Sequence, residues 1–130
     1  MKYGLPLMTL LAASAASAEP LTIYAPDYFA SEWGPGPAIK EAFEAECDCE
    51  IDYVTGDLLP RILLEGERTK ADVAIGFNSD VTKKARETGL FAPHGLDLSP
   101  LTLPIAWDDD MFLPFNWSYT AFVYDNTKIT

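Results

Sequence analysis

An α/β fold with a mostly parallel sheet flanked by helices is predicted by three observations. Short apolar runs alternate with helical patterns three times in succession, which fits parallel strands joined by helical crossovers. The run Ala71-Asp72-Val73-Ala74-Ile75-Gly76-Phe77 is nearly continuously apolar, as in a strand covered on both faces. The run after the first strand, residues 24–37, is dense in rings, carries Asp27 and Glu32, and closes on Gly34-Pro35-Gly36-Pro37. Such a stiffened loop at a strand's carboxyl end sits where open α/β sheets hold ligands.

The elements follow in order. Leu21-Thr22-Ile23-Tyr24 is the first strand. A helix over about 37–47 places Ile39, Ala42, Phe43 and Cys47 on one face. Residues 50–55 form the second strand, and Gly56-Asp57 turns the chain, with Asp57 as N-cap of a short helix. That helix turns Leu59, Ile62 and Leu63 to the sheet and stops at Gly66. After the third strand, Asn78 or Ser79 caps a helix that carries Val81 and Ala85 and ends with Gly89 at C′. Residues 91–107 read as a proline-containing loop, and residues 111–124 as one or two aromatic strands.

The N-terminus sets the compartment. Lys2, an apolar core over 5–13 and Ala16-Ser17-Ala18 make a three-part export signal over residues 1–18, with Glu19 as the mature N-terminus. The apolar core falls short of the roughly 20 residues that span a bilayer, and no cysteine stands at the cleavage point. The expectation is a periplasmic protein with a cleaved signal peptide. What remains, residues 19–130, suits one small domain or part of a larger one; the abrupt stop after a strand-like segment favours the second.

Composition excludes some partners. Acidic residues outnumber basic ones 20 to 9, so nucleic acid, which calls for a basic surface, is not expected. Cys47 and Cys49 are one residue apart in a chain read as exported, where a small-loop disulfide is favoured. Two thiols and a distant His94 do not make a zinc set, and no cofactor is expected. Asp108-Asp109-Asp110 lacks the alternate spacing of a calcium loop and reads as a solvated turn. Neither His94 nor Ser99 lies in a nucleophile or metal motif, so an exported enzyme is the weaker alternative.

Several markers occur together in one order: Trp33-Gly34-Pro35-Gly36-Pro37, Lys40 with Ala42-Phe43-Glu44, Cys47-Asp48-Cys49-Glu50, Glu65-Gly66, Lys70-Ala71-Asp72-Val73, Thr88-Gly89-Leu90-Phe91-Ala92, and Pro114-Phe115 through Phe122-Val123-Tyr124-Asp125. By these the mature chain resembles the periplasmic thiamine-binding proteins, the solute receptors of thiamine ABC importers. The resemblance implies a class II periplasmic-binding-protein-like lobe over residues 19–130, the N-terminal half of a two-lobed receptor whose second lobe is absent from this sequence. It further implies a monomer that binds thiamine or its phosphate esters and delivers it to an inner-membrane permease. Receptors of the same fold for iron or polyamines are the alternative.

Thiamine joins a permanently cationic thiazolium ring to an aminopyrimidine that donates and accepts hydrogen bonds along one edge. A matching site stacks rings against the cation and places a carboxylate nearby. The resemblance thus nominates Tyr28, Trp33, Trp117 and Tyr119 as rings, Asp27 and Asp57 as charges, and Asn78, Ser79 and Asn116 as hydrogen-bonding partners, with the helix start near Ser79 suited to an anionic ester. Family members typically carry tyrosine where this chain has Pro26, and Tyr28 is the ring placed to substitute. Plainer readings stand beside these: Trp33 packs its loop onto the helix, Phe29 fills the core, Asp57 and Ser79 cap helices, and Trp117 and Tyr119, two apart on one strand face, line a cleft or pack inside.

Overall fold

The computed structural model describes residues 19–47 and 49–128; the proposed signal peptide lies outside them. Three parallel strands form one sheet in the order β2-β1-β3. The central strand β1 (Leu21–Ala25) pairs with β2 (Ile51–Thr55) over five registered positions, from Leu21 opposite Ile51 to Ala25 opposite Thr55. On its other side β1 meets β3 (Val73–Ala74) at only two, Ile23 opposite Val73 and Tyr24 opposite Ala74.

The helices are α1 (Asp27–Ala30), α2 (Gly36–Cys47), α3 (Leu58–Glu65), continued by a 3-10 turn over Gly66–Arg68, and α4 (Ser79–Glu87). The first loop therefore contains one helical turn where a plain loop is expected. The core is small: Ile23, Tyr24, Ala25, Phe29, Ile51, Leu59, Ile62 and Ala85 are buried. Phe29 fills it as the sequence predicts, with its ring edge-on to Tyr53 at 5.8 Å and to Phe115 at 5.4 Å.

Polar bonds lock the helices to the strands. Glu44 accepts the Ile51 backbone N–H at 2.7 Å, Lys40 donates to the Ile51 carbonyl, and the Tyr53 hydroxyl donates to the Gly36 carbonyl at 2.9 Å. The start and middle of β2 are thereby tied to α2, and the Ile51 backbone groups find partners there. On α3, Glu65 accepts from the Tyr24 hydroxyl at 2.8 Å and from Arg61 Nε at 2.9 Å, while the Arg61 guanidinium lies 4.5 Å above the Tyr24 ring.

Four sequence expectations are corrected. The third strand is two residues long and its Val73 is 40 % exposed, because β3 is the sheet's edge and one face of it lacks a covering layer; flanking bonds from Asp72 N to Thr22 O and from Ile75 N to Tyr24 O keep it extended. Residues 111–124 form no strand: an extended run needs a paired neighbour, and none of the described strands pairs with it. Leu63, expected to face the sheet, points outward at 43 % exposure, leaving Leu59 and Ile62 as the packed face of α3. The apolar stripe of α2 is likewise largely open: Phe43 is 44 % exposed, Ala42 and Cys47 are exposed, and Gly36 is the helix's buried residue. Helix α2 thus approaches β2 by its first turn and its Lys40–Glu44 bonds more than by an apolar face.

The side chains of Cys47 and Cys49 are joined as a disulfide with Cα atoms 5.2 Å apart. This bridge sits where α2 hands over to β2. Among the described residues no helix is long and apolar enough to cross a membrane.

Candidate functional site

Parallel strands deliver their following loops to one edge of the sheet. The β1–α1, β2–α3 and β3–α4 connections all leave from that carboxyl edge, and the strand order reverses between β1 and β3, the position at which open α/β sheets form a ligand crevice. The three connections meet at Gly76. A Cβ there would lie 2.9 Å from Pro26 Cδ and 3.5 Å from Leu58 Cδ1, and its φ of 109° is one that glycine adopts without strain.

The first loop is held by backbone contact. A Cβ on Gly34 would fall on the carbonyl oxygens of Tyr28 and Phe29, so only glycine lets the chain fold back over α1. The loop is further closed by Gly34 N donating to the Ser31 carbonyl at 2.9 Å and by the Ser31 hydroxyl donating to the Tyr28 carbonyl at 3.0 Å. With Phe29 buried beneath, its neighbours are left outward: Tyr28 is 68 % exposed and Trp33 86 %. Trp33 therefore does not pack its loop onto the helix.

The other nominated residues fall into two groups. Asp27 opens α1, Asp57 stands at the N-cap position of α3, and Asn78 and Ser79 stand at the N-cap and first residue of α4; all four are exposed. Neither Asp57 nor Asn78 makes a side-chain cap bond, so the capping reading is not realised and both polar groups remain available along the same edge as Asp27 and Tyr28. Asn116, Trp117 and Tyr119 lie instead on the extended C-terminal stretch. Trp117 and Tyr119 are exposed and their rings meet edge-on at 5.1 Å, which excludes the interior-packing reading; they are not on a strand face.

Phe115, which sequence reasoning passed over, links the groups. Its ring meets Phe29 edge-on at 5.4 Å, one residue from Tyr28 on one side and from Asn116 on the other. A further arrangement also escaped that reading. Arg86 on α4 donates to Asp109 at 2.7 Å and to Asp110 at 3.0 Å, and Asp109 Oδ1 also accepts the N–H groups of Met111 and Phe112, each at 2.8 Å. Asp108-Asp109-Asp110 is thus a solvated turn only in part: Asp109 organises the chain behind it. Burial works to raise the Asp109 carboxyl, but the Phe112 and Met111 N–H groups and Arg86 outweigh it and hold it below its ordinary value. Next to this turn Phe77, Phe91 and Phe112 form a ring cluster with centroids 5.5 to 6.3 Å apart, Phe77 edge-on to both others and Phe91 tilted against Phe112.

Chemically, the carboxyl edge offers exposed rings, two carboxylates and amide and hydroxyl groups, which suits a small organic cation with hydrogen-bonding edges. Among the described residues no cluster of His, Cys, Asp and Glu is arranged to hold a metal ion.

No family model matches the chain. It is 46 % identical over 123 residues to the thiamine-binding periplasmic protein of Brucella abortus, covering 92 % of this chain and 37 % of the relative. The proteins of that name from Salmonella typhimurium and Escherichia coli are 44 % and 42 % identical over 133 residues, covering 99 % of this chain and 41 % of each. A solved periplasmic thiamin binding protein superimposes with a TM-score of 0.72 at 39 % identity over 83 % of this chain and 35 % of its own. The chain is similar to part of a periplasmic thiamine-binding protein. It spans about two fifths of the length of these relatives. The likeness to a thiamine-binding protein bears out the α/β periplasmic-binding-protein-like fold expected from the sequence, and the relatives it matches are named as binding proteins.

Proposed function

We propose that this chain forms one lobe of a periplasmic receptor that binds thiamine, or its phosphate esters, and delivers it to an ABC importer. The observation that carries the reading is the 42–46 % identity to thiamine-binding periplasmic proteins across nearly the whole chain. The geometry supports it: the β1, β2 and β3 connections converge on Gly76 and leave Tyr28, Trp33, Asp27, Asp57, Asn78 and Ser79 exposed along or beside one edge.

In this reading Tyr28 and Trp33 stack on the thiazolium, each contact contributing about 0.5–2 kcal/mol. Asp27 and Asp57 balance its charge, and Asn78, Ser79 and Asn116 bond the pyrimidine edge or an ester phosphate. Trp117 and Tyr119 extend the ring surface from the C-terminal stretch. A second lobe, supplied by further polypeptide, closes over the ligand. Delivery then needs only release to a permease, with no bond made or broken.

Calorimetric titration of the full-length gene product with thiamine, thiamine phosphates, spermidine and ferric ion tests the proposal. Saturable binding of thiamine or its esters, with no heat from spermidine or iron, is the expected result; indifference to thiamine refutes it. Residues 19–130 alone are expected to bind weakly, because enclosure comes from both lobes, and submicromolar affinity in that fragment would overturn the two-lobe reading.

A further inference from the structure

His94 holds a hydrogen-bond arrangement that only its neutral form can make. Its Nδ1 accepts the Leu96 backbone N–H at 2.9 Å, so that nitrogen carries no proton. Its Nε2 lies 3.1 Å from the Asp109 carbonyl oxygen, an acceptor, and therefore donates. The His94 backbone N–H adds a bond to the Asp110 carbonyl at 2.9 Å. One imidazole thus staples the turn at residues 94–96 to the Asp109–Asp110 corner, which Arg86 grips from α4. The same corner fixes the path of the following chain: the Trp107 indole N–H donates to the Phe112 carbonyl at 2.8 Å, and Phe112 leads toward Phe115, Asn116 and Trp117.

We propose that His94 is a proton-operated latch on this corner. Histidine changes charge between about pH 5 and 8. A proton added at Nδ1 turns the acceptor of the Leu96 N–H into a second donor; two N–H groups then face each other and that bond is lost, while the Nε2 bond to Asp109 survives. The carboxylates of Asp108, Asp109 and Asp110 share the hollow that His94 lines and receive the new charge, Arg86 opposes it from α4, and Asp97, beside Leu96, is engaged with Ser99. Acidification therefore swings the imidazolium toward the acidic corner and frees the turn at residues 95–96.

NMR of the full 130-residue chain reads the latch directly. At pH 8 the ring-nitrogen shifts of His94 should show the Nε2–H tautomer. Between pH 8 and pH 5 the exchange protection of the Leu96 amide should fall about fivefold or more, with the midpoint of the His94 ring titration. In His94→Gln, whose side-chain oxygen accepts and whose amide nitrogen donates at every pH, protection should stay flat. An Nδ1–H tautomer at pH 8, a ring that stays neutral to pH 5, Leu96 protection unmoved while the ring titrates, or the same fall in His94→Gln would each overturn the latch. The tautomer and the Leu96 response are read in the wild-type chain, so they decide the matter even where the variant folds poorly.

Discussion

The two sides of the central strand are held by different means. Toward β2, β1 has five registered pairs, a buried Ile51, and α2 bonded to the backbone at both faces of the ladder's start. Toward β3 it has two pairs, an exposed Val73, and a long irregular chain fastened by Arg86, Asp109, His94 and three phenylalanines. A backbone ladder is cooperative and spreads its load over many bonds, whereas side-chain fasteners open one at a time. The difference predicts that damage on the β2 side is global and damage on the β3 side local.

The largest effect should come from Phe29→Ala, which removes the ring shared by Tyr53 and Phe115 and joins the two sides: a loss of about 3–5 kcal/mol in denaturant unfolding. Ile51→Ala should follow with about 2–5 kcal/mol, and a fall confined to residues near α2, with the rest intact, would break the comparison. Arg86→Met should instead leave the unfolding midpoint nearly unchanged and raise amide exchange at Met111 and Phe112. A global loss of stability in that variant would show that the two sides are one cooperative unit.

Acid separates them further. The Glu65 carboxyl is held below its ordinary value by Arg61 and then by the Tyr24 hydroxyl, and Glu44 by the Ile51 N–H, despite partial burial. Their stabilisation is complete above the ordinary carboxylate range and is lost as pH falls through their lowered values. Unfolding midpoints should therefore hold down to the carboxylate range and drop below it, with Glu65→Gln flattening the drop. The smallest structural effect belongs to Trp33→Ala: stability within about 0.5 kcal/mol of the parent, yet thiamine affinity of the full-length product weaker by roughly 2- to 30-fold.

Legibility in the sequence follows the same division. Strands β1 and β2, the positions of helices α2, α3 and α4 and the turn glycines were readable because the sequence there repeats at the period of the element, whereas the single helical turn α1 was not; Gly66 and Gly89 do end their helices with φ of 56° and 69°. The density of rings and acids in the first loop was readable from its run of residues, but the outward position of Trp33 was not. What was not readable has no period. Arg86 and Asp109 are 23 residues apart, Phe29 and Phe115 are 86 apart, and Leu63 and Leu59 look alike until the helix is docked. The aromatic run at 111–124 has strand-like chemistry, but strand formation is a property of a pair, and none of the described strands pairs with it.

Residues 111–124 contain no Asp, Glu, Lys or Arg, while the chain as a whole carries a formal charge of −11. Phe115, Trp117, Tyr119, Phe122, Val123 and Tyr124 all stand exposed along this strip. At neutral pH and low salt, mutual repulsion keeps copies of the chain from bringing their strips together. Adding salt, or neutralising carboxylates with acid, removes that colloidal protection and leaves the adhesive surface in place. The strip thus makes ionic strength and pH the variables that govern whether a concentrated preparation stays clear.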